Sequence, residues 1–514
     1  VGTINKRFEA AKVARKSIDR DIKLNLAFYE GHQWVTYDPN FCRVVDWNPP
    51  KSKPKITTNL IMPVVRIEFA KLTRNDPGFQ VVATTADEED VAKAKVCSQF
   101  LEYKWAIDDY ADVFKRSLMW ALVGGTGFVK VYYDPGAGPV FNGTSLGDVV
   151  VDYCSPMEIF PDPYARTIAE ASWVVHARVR PLEYIKKKYG VSVPAEPFEG
   201  LTAVGHLSGA QRRLSTEGAI PAAVVREYWE RPNALYPEGR YAVVAGNNVL
   251  YEDVNPYADV CPIPFSMMVH IPVPGRLFGA SVVTSLRQIN VAYNKLKSDI
   301  IENTTKLSNP PLIAPAGSLL KAPEFGPGEI IYFNPTIPGT IDQLKFEPYP
   351  PQIINTLIRL LQERDDVSGI TDVSRGITPR GVRSGEALAY LLEQDETRLA
   401  VTARNYESMV GRAMSMVLRL AREFYDTPRT IRILGTGSQR EVALFMAKDI
   451  PPDADVRVEA GSTLPKSFVQ QQQFLLDLWD RGIITDPRLV MRLTQYGTPH
   501  EAFSEIELDI SEAQ

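Results

Sequence analysis

The sequence predicts an α+β protein in which compact, strand-rich regions are joined to unusually long helices. Three observations lead there. Strand patterns such as "DVVVDY", "ASWVVHARVR", "AVVREYWER" and "YAVVAGNNVLYED" follow one another through turns, with no repeating βαβ unit, so they read as antiparallel. The stretch "GASVVTSLRQINVAYNKLKSDIIENTTKLSNPP", Gly279 to Pro311, reads as a single rod about 40 Å long at roughly 1.5 Å per residue. A further helical pattern, Glu386 to Tyr425, exceeds the roughly 25 residues beyond which coiled coils or repeats are expected rather than a compact domain.

Composition narrows the class. The 514 residues allow about three domains at roughly 150 residues each. No apolar run approaches the roughly 18 residues of a membrane span, and no signal-peptide pattern opens the chain. Cys42, Cys97, Cys154 and Cys261 lie far apart with no CxxC pair, which argues against a zinc ribbon or redox motif and fits reduced thiols in a reducing cytosol. The net charge of −5 means that any contact with DNA is not made by bulk electrostatics.

Taken in order, residues 3–30 form one amphipathic helix, with Phe8, Ala11, Ile18, Ile22, Leu26 and Tyr29 on its apolar side and Gly31 supplying a left-handed end. Its other face carries Lys12, Arg15, Lys16, Arg20 and Lys23, either solvated or against phosphate. A second helix spans roughly Asn59 to Asn75. A strand and a third helix follow, the acidic run Asp87–Asp90 sitting where the helix dipole favours negative charge. "YADVFKRSLMWALVGG" is a helix ending at Gly124–Gly125, and "GFVKVYYD" a strand.

In the rod, Val282, Leu286, Ile289, Tyr293, Leu296 and Ile300 step by four and three, a narrow a/d seam that calls for one or two neighbouring helices. Residues 309–349 are rich in proline and glycine, with short strands such as "EIIYFN"; helix resumes near Gln352 with Ile354, Leu357 and Leu361 at seam spacing. "SGITDVSRGITPRGVRSG" is a glycine-punctuated loop carrying Arg375, Arg380 and Arg383. The long helix behind it has a line of Leu399, Ala403, Tyr406, Val410, Ala413, Val417, Leu420 and Phe424. Strands "RTIRIL" and "DVRVEA" and a helical tail from about Ser467 complete the chain. Two seam helices thus bracket a proline-rich tip. Copies of the same chain, closed into a ring, would satisfy the seam.

Signals for catalysis are poor. There is no GxxxxGK[ST] loop, no HExxH, no GxSxG, and the five histidines are scattered. "GGTGF" at Gly124 follows a helix and precedes a strand, the reverse of a dinucleotide fingerprint. The sequence therefore points to no cofactor, metal or catalytic residue. The sharper candidate is the loop with Arg375, Arg380 and Arg383: facing a ring axis, it would touch phosphates without reading sequence; otherwise its arginines pair with neighbouring acids.

At this point the chain resembles the bacteriophage portal protein family, the head-to-tail connectors of tailed viruses. The likeness is carried in order by "FYEGHQW", "KITTNLIMPVVRIEFAKLTRNDPGFQVVATTADEEDVAKAK", "PMEIFPDPYARTIAEASWVVHARVRPLEYIKKKYG", the opening rod, and "VRVEAGSTLPKSFVQQQQFLLDLWDRGIITDP". It implies a fold of wing (1–280), stem helix (281–308), clip (309–349), second stem helix (350–368), tunnel loop (369–384), long helix with late wing strands (385–465) and crown-like tail (466–514). It further implies a dodecameric ring at one capsid vertex, assembled in the host cytoplasm and not in a membrane. Double-stranded DNA would pass through its channel during packaging and ejection. Its partners would be the major capsid and scaffolding protein, the terminase large subunit and then the tail adaptor. The six seam residues would contact the same rod in adjacent subunits, and the three loop arginines would line the channel. Lys295, Lys297 and Lys306 are expected at subunit contacts or as isolated rings, because a basic bore would hold each passing phosphate. The rival reading is a nucleic-acid-processing enzyme with an unrecognised active site.

Overall fold

The computed structural model describes residues 1–40, 42–47, 53–82, 87–141, 143–196, 221–308, 312–313, 336, 342–343, 347–370, 375, 385–427, 429–434, 440–447, 450, 455–458, 479 and 481. The "EIIYFN" strand, most of the 309–349 excursion, Arg380, Arg383 and nearly all of the tail beyond 466 lie outside these residues.

The opening helix is two helices, α1 (Gly2–Ala14) and α2 (Lys16–Tyr29), broken at Arg15, where φ is −98° and ψ 7°. The break has a cause. Arg15 is buried, and its guanidinium donates to the carbonyls of Pro156 (2.6 Å) and Ile159 and to the Asp19 carboxylate (2.6 Å), lying 4.4 Å from the Phe160 ring. Lys23 is buried as well and donates to the Cys42 carbonyl at 2.7 Å. The basic face expected from sequence is therefore split: these two cations face inward, while Lys12, Lys16 and Arg20 stay exposed. Gly31 takes the left-handed turn at φ +93°.

Strands β1 (Val35–Asp38) and β2 (Arg43–Asp46) form a hairpin after α2. Then come α3 (Ile61–Leu72), β3 (Phe79–Val82), α4 (Glu88–Ile107) and α5 (Tyr110–Gly124), followed by β4 (Thr126–Asp134) and β5 (Asp148–Cys154). The α5-to-β4 corner is tight. Gly125 has φ +91°, and a Cβ there would lie 2.4 Å from the Gly279 carbonyl oxygen, so two backbones touch where only glycine fits.

The next strands are β6 (Ile159–Pro161), β7 (Trp173–Pro181), β8 (Ala222–Glu230), β9 (Arg240–Ala245) and β10 (Asn248–Asp253), with α6 (Leu182–Tyr189) between β7 and β8. They make an antiparallel sheet in the order β10-β9-β8-β7-β6. Period-two alternation sorts its side chains onto two faces. Val224, Ala242 and Val244 join Ile4, Phe8 and Ala11 of α1 on one face. Ala223, Val225, Val243 and Ala245 join Ile185 of α6 on the other. A three-stranded sheet, β11 (Phe265–Val269), β4 and β5, carries the main core together with α3, α4 and α5.

Two antiparallel helices follow, α7 (Val282–Ser308) and α8 (Pro351–Ser368), and then α9 (Gly385–Phe424), unbroken over 40 residues. Residues Leu312–Ile313 pair with Asp342–Gln343 between α7 and α8. The C-terminal half of α9 is no narrow seam. Met409, Val410, Ala413, Met414, Val417, Leu418 and Ala421 are all buried, so a broad face runs through the main core against β11, β4 and β5. This corrects the coiled-coil expectation for that half. Strands β12 (Arg429–Leu434) and β13 (Arg440–Phe445) pair with each other, and β14 (Asp455–Val458) pairs antiparallel with β3, returning the late chain to its first third.

Candidate functional site

The rod α7 is anchored by polar groups that the apolar seam did not reveal. Asn290, Asn294 and Ser298, four residues apart, are buried. The backbone N–H groups of Leu60, Thr58 and Ile56 donate to Asn290 Oδ1 (2.9 Å), Asn294 Oδ1 (2.9 Å) and Ser298 Oγ (3.1 Å). The match is metric: four helical residues rise about 6 Å, and two extended residues rise about 6.6 Å. Alternate amides of the extended segment therefore meet successive turns of the helix. Asn290 and Asn294 also donate to Gln33 Oε1, and Lys297 Nζ donates to Thr58 Oγ1 at 2.9 Å. The signal lay in the sequence as Asn/Asn/Ser at four-residue spacing beside the greasy line.

Of the six seam residues, Val282, Leu286 and Tyr293 are buried within the chain, while Ile289, Leu296 and Ile300 are half-buried. The same stripe continues to Asn303, which donates to the Glu347 carbonyl at 3.4 Å just before α8. One neighbour of the seam is thus the antiparallel helix of the same chain. The three rod lysines do not share a face: Lys297 turns toward Thr58, Lys295 sits 4.9 Å from the Trp47 ring, and Lys306 is exposed beside Glu302 (2.6 Å). Of the loop arginines, Arg375 is described, and it binds Asp365 near the end of α8, a carboxylate shared with Arg364.

A long antiparallel helix pair thus rises from an α+β body, and a loop leads from its second helix into the 40-residue helix at the body's centre. The family model described as "Phage SU10 portal protein" matches residues 236–483, a span taking in β9 to β11, the helix pair, α9 and the late strands. Over that span the chain is similar to the phage portal protein family. No curated protein matches the sequence.

Where the chain turns from α8 toward the loop, Ile370 is buried beside a small cavity of about 170 Å³ that also meets Glu68, Lys71, His270, Val282 and Thr402. Glu68 Oε2 and His270 Nε2 stand 3.8 Å apart with no hydrogen-bond partner. Burial raises Glu68 to about 8 and lowers His270 to about 4, so near neutral pH both are uncharged.

A second buried cluster joins the two sheets of the body. His176 lies between Glu158 (3.6 Å) and Glu227 (3.7 Å), Lys130 binds Glu227, and Arg178 binds Asp152 (3.1 Å) and Glu158 (3.2 Å). Burial opposes the charge on His176, yet Cys154 and the two carboxylates outweigh it and raise the imidazole to about 10. Glu227 is held well below the carboxylate range: burial works the other way, and Lys130 and His176 prevail. Each charge in this cluster faces an opposite one, which makes it a structural clamp between sheets. Among the described residues no group of His, Cys, Asp and Glu could hold a metal ion, and no helix is long and apolar enough to cross a membrane.

Proposed function

We propose that this chain forms a dodecameric ring at one capsid vertex, with the α7–α8 pair as its stem around a DNA channel. The observation that carries the reading is the family match lying over that stem, the loop and the long helix together. In this reading the ring is a structural conduit for double-stranded DNA during packaging and ejection, and a component of the virion assembled in the host cytoplasm with the capsid and scaffolding proteins. The excursion between α7 and α8 is the clip, docking the terminase large subunit and later the tail adaptor. Arg375, Arg380 and Arg383 belong to the tunnel loop and brush phosphates without sequence preference. The half-buried seam residues Ile289, Leu296 and Ile300 are the ones left to touch a neighbouring stem, because Val282, Leu286 and Tyr293 are enclosed within the chain.

Negative-stain electron microscopy and native mass of the purified chain test this. Rings with a central hole and a mass near twelve chains are expected. A monomer or dimer that persists at high concentration with capsid scaffold and DNA present refutes the ring and reopens the enzyme reading.

A further inference from the structure

We propose that the groove between α2 and α7 is the socket for α8 of the next copy of this chain. The inference rests on the ring reading and names the contact that closes it. α7 carries its own α8 on one flank. The opposite flank is open, a groove of about 1150 Å³ lined by Val13, Ser17, Arg20, Val291, Ala292 and Lys295 among others. Val13 is 72% exposed there.

The occupant is identified by what α8 leaves uncovered. None of its residues is buried, and Ile354, Ile358, Gln362 and Asp366, stepping by four, form one exposed ridge. Ile354 and Ile358 are each 50% exposed, an apolar pair one turn apart with nothing over it among the described residues.

Heights along the stem agree. The antiparallel helices are pinned at one end by Asn303 on Glu347, and at the other by Val282 lining the same cavity as Val367 and Gly369. Counting inward at about 1.5 Å per residue on each helix puts Ile354 level with about residue 296, Ile358 with about 292 and Asp366 with about 284. On the groove side, Asn25 donates to Thr284 (3.0 Å) and Arg287 binds Asp21 (3.1 Å). Val13, just before the break at Arg15, lines the groove together with Val291, Ala292 and Lys295. The apolar ridge and the apolar floor of the groove therefore lie at one height on opposite flanks, as rotation about an axis along the stem requires. Charge agrees too: Asp366 falls beside the level of Arg20 and Arg287, which share the one carboxylate of Asp21 and leave that end of the groove with about one net positive charge. Ridge and groove on the same chain give a heterologous contact that repeats around a closed ring.

The test is disulfide trapping in assembled rings of the full chain carrying Val13→Cys and Ile354→Cys together. The two sites lie on opposite flanks of one subunit, so a bond between them joins different chains. Mild oxidation is expected to give a non-reducing gel ladder climbing one chain at a time, absent from either single variant. Ile358→Asp, at an exposed position, is expected to fold as the parent does by circular dichroism and to lose rings on dilution. Rings visible in the microscope with no ladder, or Ile358→Asp rings as persistent as the parent's, overturn the socket and leave the ring standing. A parent chain that forms no rings overturns both.

Discussion

The buried pair Glu68–His270 gives a pH dependence whose sign can be worked out in full. Glu68 is raised from 4.5 to about 8, so its contribution to stability is complete below pH 4.5 and is lost as pH rises toward 8. His270 is lowered from 6.5 to about 4, so its contribution is complete above pH 6.5 and is lost as pH falls toward 4. Between pH 4.5 and 6.5 the two slopes oppose and nearly cancel. Above 6.5 His270 is neutral in both folded and unfolded chains, and of this pair only the carboxyl still titrates; His176, raised to about 10, adds a loss of the same sign that parent and variant share. At about 1.4 kcal/mol per pH unit, the folded body loses about 2 kcal/mol between pH 6.5 and 8 through Glu68. The perturbation is Glu68→Gln, which keeps shape and removes the titration. Urea unfolding at pH 6.5 and 8, compared at unchanged slope, is expected to show the parent losing about 2 kcal/mol more than the variant over that interval. Equal losses would refute the buried neutral carboxyl, and with it the account of the cavity beneath Ile370.

Two further outcomes follow from contacts described above. Asn294→Ala leaves the Thr58 N–H without its acceptor and Gln33 Oε1 with Asn290 in place of two donors, and is expected to cost about 1–3 kcal/mol; hydrogen exchange at the Thr58 amide should quicken more than at the Arg43–Asp46 strand, and an unchanged Thr58 rate would count against the polar anchoring of α7. Gly125→Ala puts a methyl 2.4 Å from the Gly279 carbonyl oxygen at φ +91°, and is expected to lower the melting temperature by more than the roughly 1 kcal/mol of backbone preference alone; a melt equal to the parent's would mean that the corner opens freely.

Most helices and strands of the body were legible because periodicity is a local property. The acid run before α4, the left-handed Gly31 and the alternation of β7 to β9 each announce themselves within a few residues. What stayed hidden depends on partners distant in sequence. Arg15 reads as one more cation on a basic face, and only Pro156 and Ile159, more than a hundred residues away, explain why the helix breaks there. Asn290 and Asn294 read as the solvated side of a rod, although their amides hold a segment more than two hundred residues earlier. The α9 line at three-four spacing was visible, yet its true width was not, because Met409, Met414 and Leu418 count as core only once the β11-β4-β5 sheet is beside them. At the site, Arg375 illustrates the same limit: its partner Asp365 lies back within α8, ten residues earlier.

That partner also bears on how a ring of such chains would treat DNA. Asp365 is shared by Arg364 and Arg375, and Asp366 stands beside them, so two arginines face two carboxylates at the end of α8 with no surplus of positive charge. Elsewhere several buried cations are neutralised inside the chain: Arg15 by Asp19, Lys104 by Asp108 and Asp148, Lys130 by Glu227. A cation already held by a carboxylate releases few counterions when a phosphate passes, so it adds little to DNA affinity. An arginine already paired with a carboxylate, as Arg375 is, repeated around a ring, would give evenly spaced, shallow contacts rather than a continuous basic wall. Neighbouring positions of the duplex would then differ little in energy, and a chain with a net charge of −5 could guide DNA along a channel without gripping it.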